Sequence, residues 1–206
     1  MNPRLLYRLS LPTAAVLVAA CSGAPTPDTI GRHLQAGEYF ESRGSPDATL
    51  TDPHGKAFDI RAETAGKLGY VFFGYTSCPD ICPITMNTLA RALDRIEPAE
   101  RERIVPIFIT LDPDRDDPER VGYFVDAIGG GIVGLTGTEA ELVGVLEQFG
   151  YVMPPWEKPE EGFYEVPHPA DLFVLTPDGE VRFGYPNGVT PDPIVADARV
   201  ILGIDW

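Results

Sequence analysis

The 206-residue sequence contains only three cysteines and three histidines, and its 31 acidic side chains outnumber its 16 basic ones. Three cysteines are too few for the disulfide framework that holds many small exported domains together. The formal net charge of −15 produces a surface that repels phosphate backbones, so the composition argues against nucleic-acid binding. Hydrophobic residues still make up 44% of the chain, which is ordinary for a globular protein and excludes global disorder.

The N-terminal apolar stretch, residues 11–20, is too short to span a bilayer and follows the basic residues Arg4 and Arg8. This pattern predicts a cleavable signal peptide over residues 1–20. The tetrad VAAC, which ends at Cys21, resembles the bacterial lipobox, in which the cysteine is lipidated and becomes the new N-terminus. An ordinary signal peptide with a chance cysteine after it is the alternative, but an unpaired exported thiol is a liability.

The predicted processing divides the chain into three parts. After the signal peptide, residues 21–41 begin polar and rich in Gly, Pro and Thr, which indicates a lipidated N-terminus and a flexible tether. Residues 42–206 form the predicted domain. We therefore expect an exported lipoprotein that is anchored to the membrane and faces the periplasm or an equivalent extracytoplasmic space.

The predicted domain alternates strands with helices and closes with a hairpin and a final helix. This order predicts an α/β fold, a thioredoxin-like sandwich with a central mixed sheet and flanking helices. Thr138 and Glu141 have the spacing of a helix capping box. Strands are expected at residues 48–51, 57–60, 68–75, 104–111, 132–135, 171–176 and 180–184, and helices at about 84–96, 118–128, 138–149 and 192–202.

The segment TSCPDICP, residues 76–83, joins the apolar strand LGYVFFGY to the helix that follows it. Sites in open α/β sheets occur at this end of a strand. Pro83 suits the first helical position, which would make Cys82 the N-cap. Because helix N-terminal amides stabilise negative charge, we expect both Cys78 and Cys82 to favour the thiolate form.

The spacing of the two cysteines favours a metal over a permanent disulfide. Residues four apart in a helix place their Cβ atoms roughly 5–6 Å apart, whereas a disulfide needs about 3.5–4.5 Å. Two thiolates about 2.3 Å from a shared metal tolerate the wider gap, and soft or borderline metals such as cuprous copper or zinc suit them. Pro79 and Pro83 move the two cysteines off helical backbone angles, so a Cys78–Cys82 disulfide remains an alternative in the oxidised protein. A purely structural disulfide would close too short a loop to add much stability.

A third ligand has to come from elsewhere in the chain, and His168 is the best candidate. It directly precedes the strand predicted at 171–176, and we expect its loop to meet the cysteine loop at the same end of the sheet. His33 lies in the predicted tether and His54 in a hairpin turn, so we expect both to be exposed.

The acidic segment 112–117 has a composition that also suits hard cations. We interpret it instead as a structural loop. In this interpretation Asp116 or Asp117 caps the helix that begins at Pro118, and Arg115 pairs with a neighbouring acid.

Four sequence blocks occur in a fixed order: GYTSCPDICP at 74–83, TLDPDRD at 110–116, GLTGT at 134–138, and the His168 loop followed by LTPDG at 175–179. Together they resemble the Sco/SenC family of copper-handling assembly proteins, over about residues 42–204.

The resemblance implies a thioredoxin fold, one copper ion held by Cys78, Cys82 and His168, and assistance in metallating the binuclear copper centre of cytochrome c oxidase. The implied partner is the copper-bearing oxidase subunit or another periplasmic copper protein, with the membrane reached through the lipid anchor. The chain departs from the family at Pro167 and Pro169, since the family usually has Asp before the histidine and Ser or Thr after it.

A non-enzymatic copper chaperone is therefore the leading hypothesis. The alternative is a periplasmic thiol–disulfide oxidoreductase acting on partner cysteines, which would need Cys78 and Cys82 but not His168. A peroxiredoxin-like peroxidase is not expected, because the Thr-x-x-Cys nucleophile pattern is absent around Cys78.

Overall fold

The computed structural model describes residues 24–27, 29–39, 42–155, 158–159 and 162–206. The predicted signal peptide and the lipidation of Cys21 lie outside these residues. Among the described helices, none is long and apolar enough to cross a bilayer.

The first element of the described chain is a 3-10 turn, Ile30–Arg32. The strands are β1 (Glu38–Tyr39), β2 (Thr49–Thr51), β3 (Ala57–Asp59), β4 (Leu68–Gly74), β5 (Ile104–Thr110), β6 (Val133–Leu135), β7 (Leu172–Leu175) and β8 (Val181–Tyr185), and the helices are α1 (Ile60–Thr64), α2 (Ile81–Leu93), α3 (Pro98–Arg101), α4 (Pro118–Ile128), α5 (Glu139–Gln148) and α6 (Pro191–Leu202).

A mixed sheet of six strands forms the centre of the domain, in the order β1-β8-β7-β4-β5-β6. Strand β4 is parallel to β5 and antiparallel to β7. All seven β4 residues are buried, as expected for a strand covered on both faces. Strands β2 and β3 form a hairpin, as predicted, and the structure shows that it is a separate two-stranded sheet. The predicted α/β, thioredoxin-like sandwich is confirmed.

Most predicted helices begin and end within a few residues of the observed ones, and two of their caps are confirmed. The Asp117 side chain accepts a hydrogen bond from the Arg120 amide at the start of α4. Thr138 and Glu141 form the predicted capping box of α5. Helices α1 and α3 have no counterpart in the prediction, because elements of five and four residues carry too little periodic pattern.

Helix α2 begins at Ile81, so the prediction that Cys82 is the N-cap and Pro83 the first helical residue is wrong. Asp80 is the N-cap, and its carbonyl accepts a hydrogen bond from the Ile84 amide at 3.3 Å. The first four N–H groups of a helix have no acceptor within the helix. Proline at the third position therefore removes no hydrogen bond and allows the helix to start earlier.

Part of the predicted tether, residues 21–41, belongs to the folded domain, which corrects the prediction of a flexible segment. Ile30 is buried, and β1 pairs with β8 at the sheet edge. The fully buried carboxylate of Asp197 on α6 accepts hydrogen bonds from the backbone amides of residues 35–37, at 2.6, 3.3 and 3.3 Å. The sequence gives no sign of this contact, because the two partners are at least 160 residues apart.

Replacing Asp197 with Asn is expected to loosen residues 35–37 while the domain stays folded. The neutral amide is a weaker acceptor, and its NH₂ group would face backbone donors, so part of the roughly 1.5–3 kcal/mol typical of a hydrogen bond to a charged group is lost. Native-state hydrogen exchange should show reduced protection over residues 35–39 and unchanged protection in β4. Equal protection in both proteins would mean that the pairing of β1 with β8 holds the segment without Asp197.

Candidate metal centre

Two loops that are distant in sequence meet at one edge of the sheet. The loop after β4 carries Cys78, and Cys82 follows in the first turn of α2. Strand β7 is antiparallel to β4, with Val71 paired to Phe173, so β7 begins at the edge where β4 ends. His168, just before β7, therefore lies beside the two cysteines, as the sequence predicts.

The three side chains lie close enough together to share one metal ion. Their ligand atoms all lie within 4.8 Å of one another, and Cys82 Sγ is 3.8 Å from His168 Nε2. Metal–sulfur and metal–nitrogen bonds of about 2.3 and 2.0 Å, the lengths found at zinc sites, would place S and N about 3.7 Å apart in a trigonal arrangement. Within the described part of the chain, no other group of three His, Cys, Asp or Glu residues converges in this way.

The imidazole of His168 is oriented by its own loop and by two aromatic rings. Its Nδ1 lies 2.9 Å from the Pro169 carbonyl oxygen. Since a carbonyl only accepts, Nδ1 carries the proton, and the lone pair on Nε2 faces the Cys82 sulfur. The Phe72 and Tyr75 rings contact the imidazole edge-on, with centroids 6.0 and 5.6 Å away.

Burial sets the protonation of the metal-free site. Cys82 is fully buried and Cys78 is 8% exposed. Desolvation raises the pKa of the Cys82 thiol well above its ordinary value, and desolvation also lowers the pKa of His168. The expectation of a thiolate is therefore wrong for Cys82 in the metal-free site, because burial raises its pKa by disfavouring the charged form. A metal ion that binds here must displace the Cys82 proton.

Gly74, the last residue of β4, makes room for the Cys82 sulfur, and sequence reasoning missed this role. A Cβ at this position would lie 2.5 Å from Cys82 Sγ, and 3.1 and 3.2 Å from the rings of Phe108 and Phe72. A glycine near the end of a strand is the only sequence signal, and it indicates close approach without naming the neighbour.

The acidic segment 112–117 is a structural loop, as predicted, and Arg115 pairs with Asp112. The sequence did not reveal the role of Asp116. This residue is fully buried and accepts hydrogen bonds from both the backbone amide and the hydroxyl of Thr76. It therefore contacts the loop that leads to the cysteines.

The other two histidines lie away from the site, and the two cysteines are not bonded to each other. His33 and His54 are exposed, as expected, and neither joins the cluster. Cys78 and Cys82 are free thiols, so their disulfide stays a prediction for the oxidised protein.

A thioredoxin-like domain with two sulfurs and one imidazole at the sheet edge defines a class of protein that handles soft metals or thiol redox chemistry. Comparison with known families narrows this class. Residues 37–203 match the model of the SCO1/SenC family. The chain belongs to that family.

Individual relatives agree with this assignment. The protein sco1 of Schizosaccharomyces pombe is 30% identical over 154 residues, which cover 74% of this chain and 55% of that protein. The structure of Bradyrhizobium japonicum ScoI with copper bound matches with 28% identity and a TM-score of 0.65, over 77% of this chain and 99% of that one. The apo Sco1 structure from Thermus thermophilus matches with 30% identity and a TM-score of 0.70, over 81% and 96%. The match to the fission yeast relative covers about half of that protein's length.

Replacing Gly74 with Ala is expected to displace the Cys82 sulfur and expose it. Because the added Cβ would lie 2.5 Å from Cys82 Sγ, the sulfur has to move. The stability lost should be that of overpacking a core, about 1–3 kcal/mol. In reduced, metal-free protein, Cys82 alkylation measured by peptide mass spectrometry should accelerate.

Gly69→Ala is the matched control. It lies on the same strand, and its Cβ would approach Leu175 Cβ at 2.9 Å, away from the site. Both variants should lose thermal stability, but only Gly74→Ala should change Cys82 reactivity. Equal acceleration in both would assign the effect to general loosening.

Proposed function

We propose that the protein is a copper-binding chaperone that assists assembly of the binuclear copper centre of cytochrome c oxidase, with Cys78, Cys82 and His168 as the copper ligands. The observation that carries the proposal is the 3.8 Å spacing of Cys82 Sγ and His168 Nε2 beside a second cysteine. Membership of the SCO1/SenC family and the copper bound to Bradyrhizobium ScoI support it.

The donor set fits copper better than a structural zinc ion. Structural zinc is almost always four-coordinate, and no fourth His, Cys, Asp or Glu joins the three residues within the described ranges. Two thiolates are soft ligands, which suit cuprous copper. A cargo ion also needs an exit. Cys78 and His168 border an open pocket that Tyr75, Pro79 and Glu165 also line.

The three ligands have different surroundings, which suits binding followed by release. Cys82 is fully buried and forms the inner ligand, whereas Cys78 is 8% exposed and lies at the pocket. An incoming ligand from a partner protein can therefore approach from the side of Cys78 and His168. Because loading removes a proton from Cys82, higher pH favours loading, and release returns a proton to the thiol.

The thiol–disulfide oxidoreductase alternative is less well supported by the site. Exchange depends on the thiolate fraction and on access to the attacking sulfur. Burial raises the pKa of Cys82 and covers its sulfur, so Cys82 is a poor nucleophile. The alternative also assigns no role to the lone pair that His168 directs at the cysteines.

We expect one cuprous ion per chain, with binding abolished by Cys78→Ser or Cys82→Ser. His168→Ala should weaken binding by at least the 10–100-fold typical of losing a supporting group at a metal site. Competition titration of the reduced protein measures each affinity. His54→Ala, which removes an exposed histidine outside the site, is the matched control and should bind like the unaltered protein.

Oxidase activity in cells that carry the same variants distinguishes the two functions. If copper delivery is the role, His168→Ala should impair oxidase activity about as strongly as Cys78→Ser. A His168→Ala strain with full activity at low copper would exclude the chaperone and leave thiol exchange as the function.

We further propose that residues 1–20 are removed and that Cys21 carries a lipid, so that the domain faces the periplasm. The basic N-terminus, the short apolar stretch and the VAAC tetrad support this. Among the described residues the first buried side chain is that of Ile30, close in the chain to the proposed anchor at Cys21.

Intact-mass spectrometry of membrane-extracted protein should give a chain that starts at Cys21 and carries added acyl mass. Cys21→Ser should remove that mass and release the protein from the membrane fraction, because the anchor is lost. An unmodified chain in the soluble fraction of unaltered cells would contradict lipidation.

A further inference from the structure

One side of the β5–α4 loop, residues 111–117, holds the loop that carries the cysteines. The fully buried Asp116 carboxylate accepts hydrogen bonds from the Thr76 amide at 2.8 Å and the Thr76 hydroxyl at 2.5 Å. The Thr110 hydroxyl donates to the same carboxylate at 2.5 Å. Thr76 directly precedes the Ser77–Cys78 pair, so Asp116 fixes the backbone from which the first cysteine side chain extends.

Arg120 on α4 reinforces this contact. Its Nε lies 3.6 Å from Asp116 Oδ1 and donates to the Thr76 hydroxyl at 2.9 Å. Its Nη2 donates to the Ser77 hydroxyl at 3.1 Å. The guanidinium therefore compensates the buried carboxylate and contacts the two residues that precede Cys78.

The other side of the β5–α4 loop holds the loop that carries His168, through Tyr164. The Tyr164 hydroxyl donates to Asp112 Oδ1 at 2.9 Å. Arg115 donates to the Tyr164 carbonyl at 3.2 Å, and its guanidinium carbon lies 3.5 Å from the centre of the Tyr164 ring. Tyr164 is thus contacted at its hydroxyl, its carbonyl and its ring face. It lies shortly before His168 in the same loop.

Hydrogen bonds connect the two sides of the loop. The Asp112 carbonyl accepts hydrogen bonds from the amides of Arg115 and Asp116 at 3.2 and 2.9 Å. The Thr136 hydroxyl donates to the Asp116 carbonyl at 2.9 Å, which ties the loop to the end of β6. Hydrogen bonds therefore connect the backbone positions of Asp112 and Asp116.

We infer that the β5–α4 loop is a two-sided clamp that sets the distance between the cysteine sulfurs and the His168 imidazole. Asp116 positions the cysteine side, and Asp112 with Arg115 positions the histidine side. None of these residues is itself a metal ligand. The inference rests on the proposed metal site for its functional meaning, although the clamp can be measured without metal.

A role in stability alone would predict no specific effect on the site, and the chain offers a matched pair to separate the two. Asp116 and Asp197 are both fully buried carboxylates that accept three hydrogen bonds each. Asp116 holds the cysteine loop, whereas Asp197 holds residues 35–37. The same Asp→Asn change at the two positions should therefore cost similar stability with different consequences for the site.

The experiment compares Asp116→Asn, Arg115→Gln and the Asp197→Asn control as reduced, metal-free protein. Asp116→Asn should accelerate alkylation of Cys78 and Cys82 by about tenfold or more, because the backbone before them is released. Arg115→Gln should shift the His168 imidazole resonances in long-range ¹H–¹⁵N spectra while changing cysteine alkylation little. Both should weaken cuprous copper binding by about 10–100-fold, and Asp197→Asn should do none of these.

If Asp116→Asn and Asp197→Asn change alkylation and copper affinity equally at matched thermal stability, the clamp is overturned and the loop is only structural. Unaltered His168 resonances in Arg115→Gln would overturn the histidine side. If the unaltered protein takes up no copper, the proposed function fails, and the alkylation rates and imidazole resonances still decide whether the clamp exists.

Discussion

The antiparallel pairing of β7 with the central strand β4 is the constraint on which the candidate site depends. The long segment before β7 contains no strand or helix among its described residues, so it has no internal structure to direct His168. Pairing of Val71 with Phe173 fixes where that segment ends. The imidazole consequently meets the Cys82 sulfur at 3.8 Å, although 86 residues separate the two positions.

Packing around Cys82 determines how its sulfur lies beside the His168 imidazole. The missing side chain at Gly74 leaves space for the sulfur, and burial keeps the thiol neutral until a metal displaces its proton. A site that is already organised loses less conformational entropy on binding, which raises affinity. Cys78 and His168 lie at the open side, so in the proposed function the arrangement that would hold an ion also leaves a route for its transfer.

The prolines beside His168 are the departure expected from the sequence resemblance, and the structure shows how the imidazole is held next to them. The resemblance described in the sequence analysis implies an aspartate before the histidine in the family, where this chain has Pro167. In this chain the Pro169 carbonyl accepts the hydrogen bond from Nδ1 at 2.9 Å, so the backbone itself selects the tautomer. Pro167 and Pro169 also restrict the backbone dihedrals next to the ligand.

Strands β2 to β8, the α5 capping box and the position of the cysteine pair were predicted from the sequence, because each depends on residues that are close together in the chain, whereas β1 was missed. His168 was predicted only by combining its place before a strand with the presence of the cysteines. The protonation of Cys82, the space left at Gly74 and the Asp116 contact depend instead on which distant groups exclude water from a side chain or approach it. The same holds for Asp197, whose backbone partners lie at least 160 residues away. The local sequence pattern contains no information on neighbours that are distant in the chain, so only the tertiary structure determined these contacts.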